Sequence, residues 1–247
     1  MGDHEYSDTR SGVTGIFHQY LKPLNLQKTY YSFEMNNVHF TIIDPHIDYG
    51  PSSIQYQFIE QDLRIAASNS TLDWIFVVES TPIYTSPSQH VGNSTIRDIY
   101  HPLFDKHGVD LVFTSDNHNY QRTYPLKYNQ DGDSSNPVII DSNQYNYHFI
   151  NDDDNNNNNG VIYLITGTGG RSLYEIKEQA LFVAKQDDKH FGFLNIEISG
   201  KNLKGIFYAN EPDLPQYYYV KYPNNIIDEF SISKTNESDN NKGFGNL

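Results

Sequence analysis

Hydrophobic and polar positions along the chain follow the patterns of a layered α/β domain. Aromatic and β-branched runs on both sides of Asn36 and Asn37 predict a hairpin over residues 29–44. Apolar residues at helical spacing predict helices over residues 52–69 and 95–107. Short uninterrupted apolar runs, which are typical of strands buried on both faces, occur at residues 72–78, 109–114 and 161–166.

Alternating positions later in the chain predict a second, half-exposed sheet, with strands over residues 191–198, 203–209 and 228–233. In α/β folds, ligands bind where loops leave the carboxyl ends of strands. The loops that begin at Glu79 and Ser115 leave two buried strands in this way. We therefore expect these two loops to lie side by side.

Residues 129–160 interrupt the pattern because they are rich in Asn, Asp and Ser. Such a composition buries too little apolar surface to order itself, so we predict a mobile loop. The polar tail is expected to be disordered. The predicted organisation is one domain over residues 1–234 with an insertion at 129–160, followed by a tail over 235–247.

Composition narrows the classes of function. The chain has 247 residues, with 31 acidic and 17 basic side chains and a net charge of −14. A nucleic acid or an anionic membrane needs a cationic face, so neither is expected as a partner. The absence of Cys excludes disulfides, cysteine-ligated zinc and thiol catalysis. We expect no membrane insertion, since no run of 18 apolar residues occurs, and no signal peptide in this chain.

Three segments carry metal-type ligands at loops or after predicted strands. They are residues 2–5 (GDHE), residues 79–80 (ES) and residues 116–122 (DNHNYQR). Carboxylates and imidazoles gathered at strand ends can hold a divalent ion. Taken alone, each segment is more often a solvated surface turn.

The surrounding motifs resemble those of the purple acid phosphatases within the calcineurin-like metallophosphoesterases. The resemblance extends from Gly2 to Lys234 apart from the insertion. It rests on YYSF and NVHF at residues 30–33 and 37–40, QYQFIEQDL at 55–63, GVDLVF at 108–113, YQRTYP at 120–125 and GTGG at 167–170. It implies a metallophosphoesterase-like four-layer α/β/β/α sandwich. We expect this sandwich to be incomplete at its N-terminal side, with an exposed edge beside residues 72–78 and 109–114.

The resemblance also assigns positions in the metal loops. His4 matches the family's catalytic donor, and Asp3 stands where the family has a metal-binding Asn. Ser80 occupies the position of a metal-binding His, and Glu79 could replace it only if the loop shifted. Asp116 replaces the first His of the GHxH loop, whereas His118 matches the second.

The family's binuclear centre, of Fe with Zn or Mn, also needs ligands from a D-x-G strand end and a GDxxY loop upstream of GDHE. Neither motif precedes GDHE in this sequence. The remaining candidate ligands, Asp3, Asp116 and His118, would hold one divalent ion weakly, and the alternative is that they bind none. Arg122 is a candidate phosphate contact, with pairing to a neighbouring carboxylate as the alternative.

The family hydrolyses phosphomonoesters, and we expect this chain as it stands to be inactive or severely impaired. The alternative is a non-catalytic binding or structural module, or a truncated gene product. N-glycosylation sequons at Asn69, Asn93 and Asn236 fit the secreted or lysosomal setting that the resemblance implies. Family members often pair, so a homodimer is also expected.

Overall fold

The structure is a computed structural model that describes residues 28–151, 159–210 and 225–236. Two helices and thirteen strands occupy these ranges. The helices are α1 (Ile54–Ser68) and α2 (Ser94–His107). The strands are β1 (Tyr31–Met35), β2 (Val38–Ile42), β3 (Trp74–Val78), β4 (Leu111–Thr114), β5 (Tyr120–Thr123), β6 (Leu126–Lys127), β7 (Val138–Ile139), β8 (Asn146–Asn151), β9 (Ile162–Thr166), β10 (Val183–Asp187), β11 (Gly192–Ser199), β12 (Asn202–Ala209) and β13 (Asn225–Asn236).

Seven strands form the larger sheet in the order β1-β2-β3-β4-β9-β5-β10. Its centre, from β2 to β9, is parallel, while β1, β5 and β10 run antiparallel to their neighbours. The central strands are apolar on both faces, as expected for a parallel sheet covered on both sides. Both β3 and β4 have a partner strand on each side, so the expected open edge beside them is wrong.

Both helices pack on one face of this sheet. Ser53 caps α1, because its Oγ accepts the N–H of Tyr56 at 3.0 Å. At the C-terminal end of α2, Gly108 adopts the left-handed conformation that ends the helix (φ 69°). The buried core between helices and sheet includes Ile59, Leu63, Val77, Tyr100 and Phe104. Neither helix has the length and apolar composition needed to cross a membrane.

The second sheet, of order β11-β12-β13-β8, packs on the opposite face of the larger sheet. The core between the two sheets includes Trp74, Phe76, Leu164, Phe230 and Ile232. The described residues therefore form three of the four expected layers: helices, larger sheet and smaller sheet. Within the described ranges, no helix covers the outer face of the smaller sheet.

The Asn-rich insertion is more ordered than its composition predicts. It contains β7 and β8, and β8 pairs in parallel with β13. Tyr147 and Phe149 of β8 are each 2% exposed in the core between the sheets. The prediction of a mobile loop over all of residues 129–160 was therefore wrong, because two alternating aromatic side chains bury enough surface to fix a strand.

The expected end of the domain also shifts. Strand β13 continues to Asn236, so the first two residues of the expected tail lie in a strand. The remainder of that tail lies outside the described residues.

A buried ion pair joins the two sheets. Arg122 of β5 contacts Asp228 of β13 through two hydrogen bonds, from Nε to Oδ2 at 2.6 Å and from Nη2 to Oδ1 at 2.9 Å. Arg122 also donates to the hydroxyl of Tyr147 and to the carbonyl of Gln144, each at 2.7 Å. Tyr120 donates its hydroxyl to Asp228 Oδ2 at 2.7 Å. Burial lowers the pKa of Arg122, but the hydrogen bonds and charge of Asp228 outweigh it and raise the pKa overall.

A second buried ion pair lies near the C-terminal end of β13. The Lys234 ammonium lies 2.6 Å from Asp110, just before β4, and donates to the carbonyl of Asp73 at 2.7 Å. It also lies 4.5 Å from the centre of the Trp74 ring. Strand β13 is therefore bound to the larger sheet by one ion pair near each of its ends.

We expect Arg122→Met to lower the free energy of unfolding by about 3–5 kcal/mol, because it leaves the buried Asp228 without its counter-ion. Urea denaturation measures this loss. The control is Lys204→Met, which breaks the solvent-exposed pair with Glu229 (3.0 Å) and should leave stability within error of wild type. Equal losses in the two variants would contradict the role given to the buried pair.

Candidate functional site

The candidate site lies at the carboxyl ends of β3 and β4 and consists of the loops over residues 79–93 and 115–119. Ser115 donates its backbone N–H to the carbonyl of Ser80 at 3.1 Å. The expectation that these two loops lie side by side is confirmed. Ligands of α/β folds bind at this edge of the sheet.

A buried amide fixes the relative position of the two loops. Asn117 donates from Nδ2 to the carbonyl of His90 at 3.0 Å and accepts the N–H of His90 at 2.9 Å. The imidazole of His90 then lies with Nε2 3.9 Å from Oδ1 of Asp116. Asp116 itself has a positive φ of 61°, which is uncommon for a residue with a side chain. Sequence alone does not indicate His90 as a site residue, because its contact with Asp116 spans 26 positions and depends on the amide of Asn117.

The imidazole of His118 is oriented by the loop that contains Ser172 and Tyr174. Its Nδ1 lies 3.0 Å from the carbonyl of Ser172. Since a carbonyl only accepts, Nδ1 carries a proton and donates it to this oxygen. The ring stacks on Tyr174 with 4.0 Å between centroids and an interplanar angle of 18°. A histidine that donates one ring N–H to a carbonyl has the arrangement typical of a metal ligand.

The glycine-rich turn after β9 supports the same loop. A Cβ on Gly167 would lie 2.1 Å from the carbonyl oxygen of Asn117, so only glycine permits this approach. Gly170 has the positive φ expected for this turn, at 132°. Thr168 is buried and donates its hydroxyl to the carbonyl of Gly192 at 2.9 Å. The GTGG segment is therefore occupied by contacts within the protein.

Ser80 lies in the candidate site, with its Oγ 3.4 Å from Nε2 of His46. Glu79 begins the same loop, but its carboxyl group is buried, and neither oxygen has a hydrogen-bond partner among the described residues. Burial raises the pKa of Glu79 to about 8, so this carboxyl group is protonated at neutral pH. The interpretation of Glu79 as a replacement ligand is therefore not supported by its position.

The other predicted site residues lie in different places. Arg122 is fully buried and pairs with Asp228. The structure therefore shows the expected carboxylate partner of Arg122 and not a phosphate contact. Asp3 and His4 lie outside the described residues. Asn69 is the C-cap of α1, and Asn93 is the N-cap of α2. Asn236 is the last residue of β13.

The two candidate ligands that the structure describes, Asp116 and His118, do not form a metal centre by themselves. Within residues 28–151, 159–210 and 225–236, no three His, Asp or Glu side chains are arranged to hold a metal ion. Asp116 and His118 are the two predicted ligands among these residues. A hard or borderline divalent ion usually takes more protein ligands than two.

Comparison with known proteins relates the chain to one family. Purple acid phosphatase 21 of Arabidopsis thaliana is 32% identical over 118 residues, which are 47% of this chain and 26% of that protein. Purple acid phosphatase 23 of the same plant is 28% identical over 148 residues, or 56% of this chain and 31% of that protein. The resemblance to purple acid phosphatases is confirmed. No family model matches the chain.

Solved structures agree on the fold. The purple acid phosphatase PPD1 from yellow lupin (Lupinus luteus) seeds superposes with a TM-score of 0.64 at 22% identity, covering 85% of this chain and 33% of that one. GAP50, the anchor in the inner membrane complex of Plasmodium, gives 0.56 at 16% identity, covering 93% of this chain and 65% of that one. The chain has a metallophosphoesterase-like α/β fold, as predicted.

The chain spans about a quarter to a third of the purple acid phosphatases that it matches. Purple acid phosphatases use divalent metal ions, and the described residues of this chain include no group of three His, Asp or Glu placed to hold one.

We expect Glu79→Gln to make the chain more stable at pH 7 to 8 and to leave it unchanged near pH 4. The folded protein keeps a proton that the unfolded chain releases near the ordinary pKa of 4.5, so wild-type stability falls as the pH rises from about 4.5 to about 8. The slope is about 1.4 kcal/mol per pH unit, and glutamine removes it. Urea denaturation across this pH range measures the difference.

The matched control is Glu60→Gln, which neutralises a half-exposed carboxylate paired with Lys106 at 3.5 Å. Its stability should follow the wild-type pH dependence. Parallel curves for wild type and Glu79→Gln between pH 5 and 8 would show that Glu79 ionises normally.

Proposed function

We propose that this chain is a phosphoesterase module of the purple acid phosphatase type that hydrolyses small phosphomonoesters poorly or not at all by itself. The observation that carries the proposal is the number of ligands at the candidate site. Among the described residues, no three ligands converge, and a serine stands where the family has a metal-binding histidine.

The chemistry of the family explains why this number matters. Two metal ions about 3.5–4 Å apart polarise the phosphate and generate a hydroxide near neutral pH. The hydroxyl of Ser80 is a neutral and weak substitute for an imidazole. Asp116 and His118, joined by Asp3, would hold one divalent ion weakly, with His4 as the catalytic donor. One ion lacks the second positive charge that stabilises both the attacking and the leaving oxygen.

A non-catalytic binding or structural role is the second candidate. One structure of the same fold, GAP50, is described as an anchor, and it matches 93% of this chain and 65% of its own length. Contacts within the protein also fix two imidazoles of the candidate site: Asn117 holds His90, and Ser172 and Tyr174 hold His118. These contacts give a defined surface without requiring a metal ion.

We expect hydrolysis of p-nitrophenyl phosphate at pH 5–7, with added Fe and Zn or Mn, to remain at the level of the metal salts alone. Because the proposed site lacks a second metal, Asp116→Asn and His118→Ala should leave this background unchanged. The matched control is His148→Ala, which removes an exposed histidine on the smaller sheet.

Metal analysis gives an independent measurement. One metal ion or none per chain agrees with the proposal. Two bound metals, together with turnover that both His4→Ala and His118→Ala abolish, would establish the chain as an active enzyme.

We also propose a secreted or lysosomal setting with N-glycans at Asn69 and Asn93. The side-chain oxygens of both residues accept backbone N–H groups, from Thr71 at 3.1 Å and Ile96 at 3.0 Å. These contacts engage the oxygen and not the amide nitrogen that receives a glycan.

The protein expressed through a secretory pathway should lose mass on glycosidase treatment. The Asn69→Gln variant should lose less mass than the wild type, and the difference should be one glycan. An unchanged wild-type mass would contradict the proposal.

A further inference from the structure

A cavity of about 590 Å³ lies at the opposite edge of the larger sheet from the candidate site. The ends of α1 and α2 and the segments that lead into β3 and β4 form its walls. Ala66, Leu72 and Ile75 give it an apolar side. Its volume is in the range of sites for small molecules.

Among the described residues, the acidic groups that line this cavity are already engaged. Asp110 pairs with Lys234 at 2.6 Å and accepts the N–H of Ile75 at 2.9 Å. Asp73 accepts a hydrogen bond from Nδ2 of Asn37 at 2.6 Å. The carboxylates that line the cavity therefore have little capacity left to attract a cation.

Two basic side chains of the cavity, in contrast, make few contacts with other described residues. Arg64 lines the cavity, and its guanidinium group makes no hydrogen bond or ion pair within the described ranges. Lys106 has one contact, at 3.5 Å from Glu60, and both side chains are exposed to solvent. An exposed pair of this kind is weak and leaves the ammonium available to a further anion.

His107 provides an independent observation of an unpaired group. It lines the cavity and is 7% exposed, and its buried Nε2 has no hydrogen-bond partner among the described residues. Burial lowers the pKa of His107, and the charges of Lys106 and Arg64 lower it further against the opposing charge of Glu60. Lys106 and Arg64 therefore both lie close enough to this imidazole to lower its pKa. This nitrogen is buried, so the ring borders the cavity through its other atoms, and the His107 signal serves as a reporter of the cavity.

The carbonyl ends of the two helices are the main opposing effect, since they carry partial negative charge. Both ends are capped, by the N–H of Asn69 on Ala66 and by the N–H of Gly108 on Phe104. The caps satisfy part of the carbonyl surface that would repel an anion.

We propose that this cavity binds a small organic oxyanion, whose phosphate or carboxylate group contacts Arg64 and Lys106 beside the His107 ring and whose apolar body packs on Leu72 and Ile75. Guanidinium and ammonium groups bind both kinds of oxyanion. The cavity is separate from the candidate site, so this binding does not depend on the proposed function.

Histidine NMR spectra of the full chain test this proposal with phenyl phosphate as the probe. We expect a saturable shift of the His107 ring signal, assigned with His107→Gln, at probe concentrations up to about 10 mM. Arg64→Glu should weaken binding by about tenfold or more, because it reverses a charge at the proposed contact. Lys177→Glu makes the same charge change on an exposed residue outside the cavity and should leave the affinity within about twofold.

Three further probes separate the contributions. Inorganic phosphate and benzoate each supply one kind of oxyanion, and a shift of His107 with either supports the proposal and identifies the preferred group. Phenol lacks an oxyanion, and a response to phenol as strong as that to phenyl phosphate would overturn it.

Two results with phenyl phosphate would also overturn the proposal: no saturable shift of His107, or equal affinity in wild type and Arg64→Glu. A response confined to His90 and His118 would place the ligand at the candidate site. That outcome would reject the cavity proposal and leave the proposed function untouched.

Discussion

The contact between Arg122 and Asp228 is the constraint on which the two-sheet arrangement depends. Removing two charges from water costs several kcal/mol, and this cost is recovered only with close to ideal geometry. Here the guanidinium group has four hydrogen bonds, and the carboxylate has a third donor in Tyr120. A shift of β13 by one residue would turn Asp228 away from Arg122 and leave both charges uncompensated. The pair therefore fixes the register between the sheets more than it adds net stability.

The same strand that binds the sheets together also supports the candidate site. Along β5, Arg122 faces the smaller sheet, while the buried Gln121 faces the site loops. Gln121 accepts the N–H of Ser86 at 2.7 Å and donates to Asn119 at 3.0 Å. Because successive side chains of a strand point to opposite faces, one short strand connects the packing of the sheets to the position of both site loops.

Local patterns were sufficient to predict the helices, the apolar strands and the meeting of the two site loops. They failed where composition and periodicity disagreed. The alternating aromatic residues Tyr147 and Phe149 mark β8, but the Asn and Asp around them favoured a loop. The partners of Arg122 and His90 lie far away in the sequence, and only the folded topology brings them together. Glu79 directly follows the buried apolar strand β3 on the same face as Ile75 and Val77, although its charge favoured a surface position.

Trp74 gives the molecule a built-in optical reporter. It is the single tryptophan of the chain, and it is fully buried between the sheets. Its indole N–H donates to the carbonyl of Gly200 at 2.8 Å, at the turn between β11 and β12, and the ammonium of Lys234 lies over its ring. Its emission is therefore sensitive to the separation of the two sheets and to the charge beside the ring. Intrinsic fluorescence therefore reports whether the two sheets are packed together, without a label or a substitution.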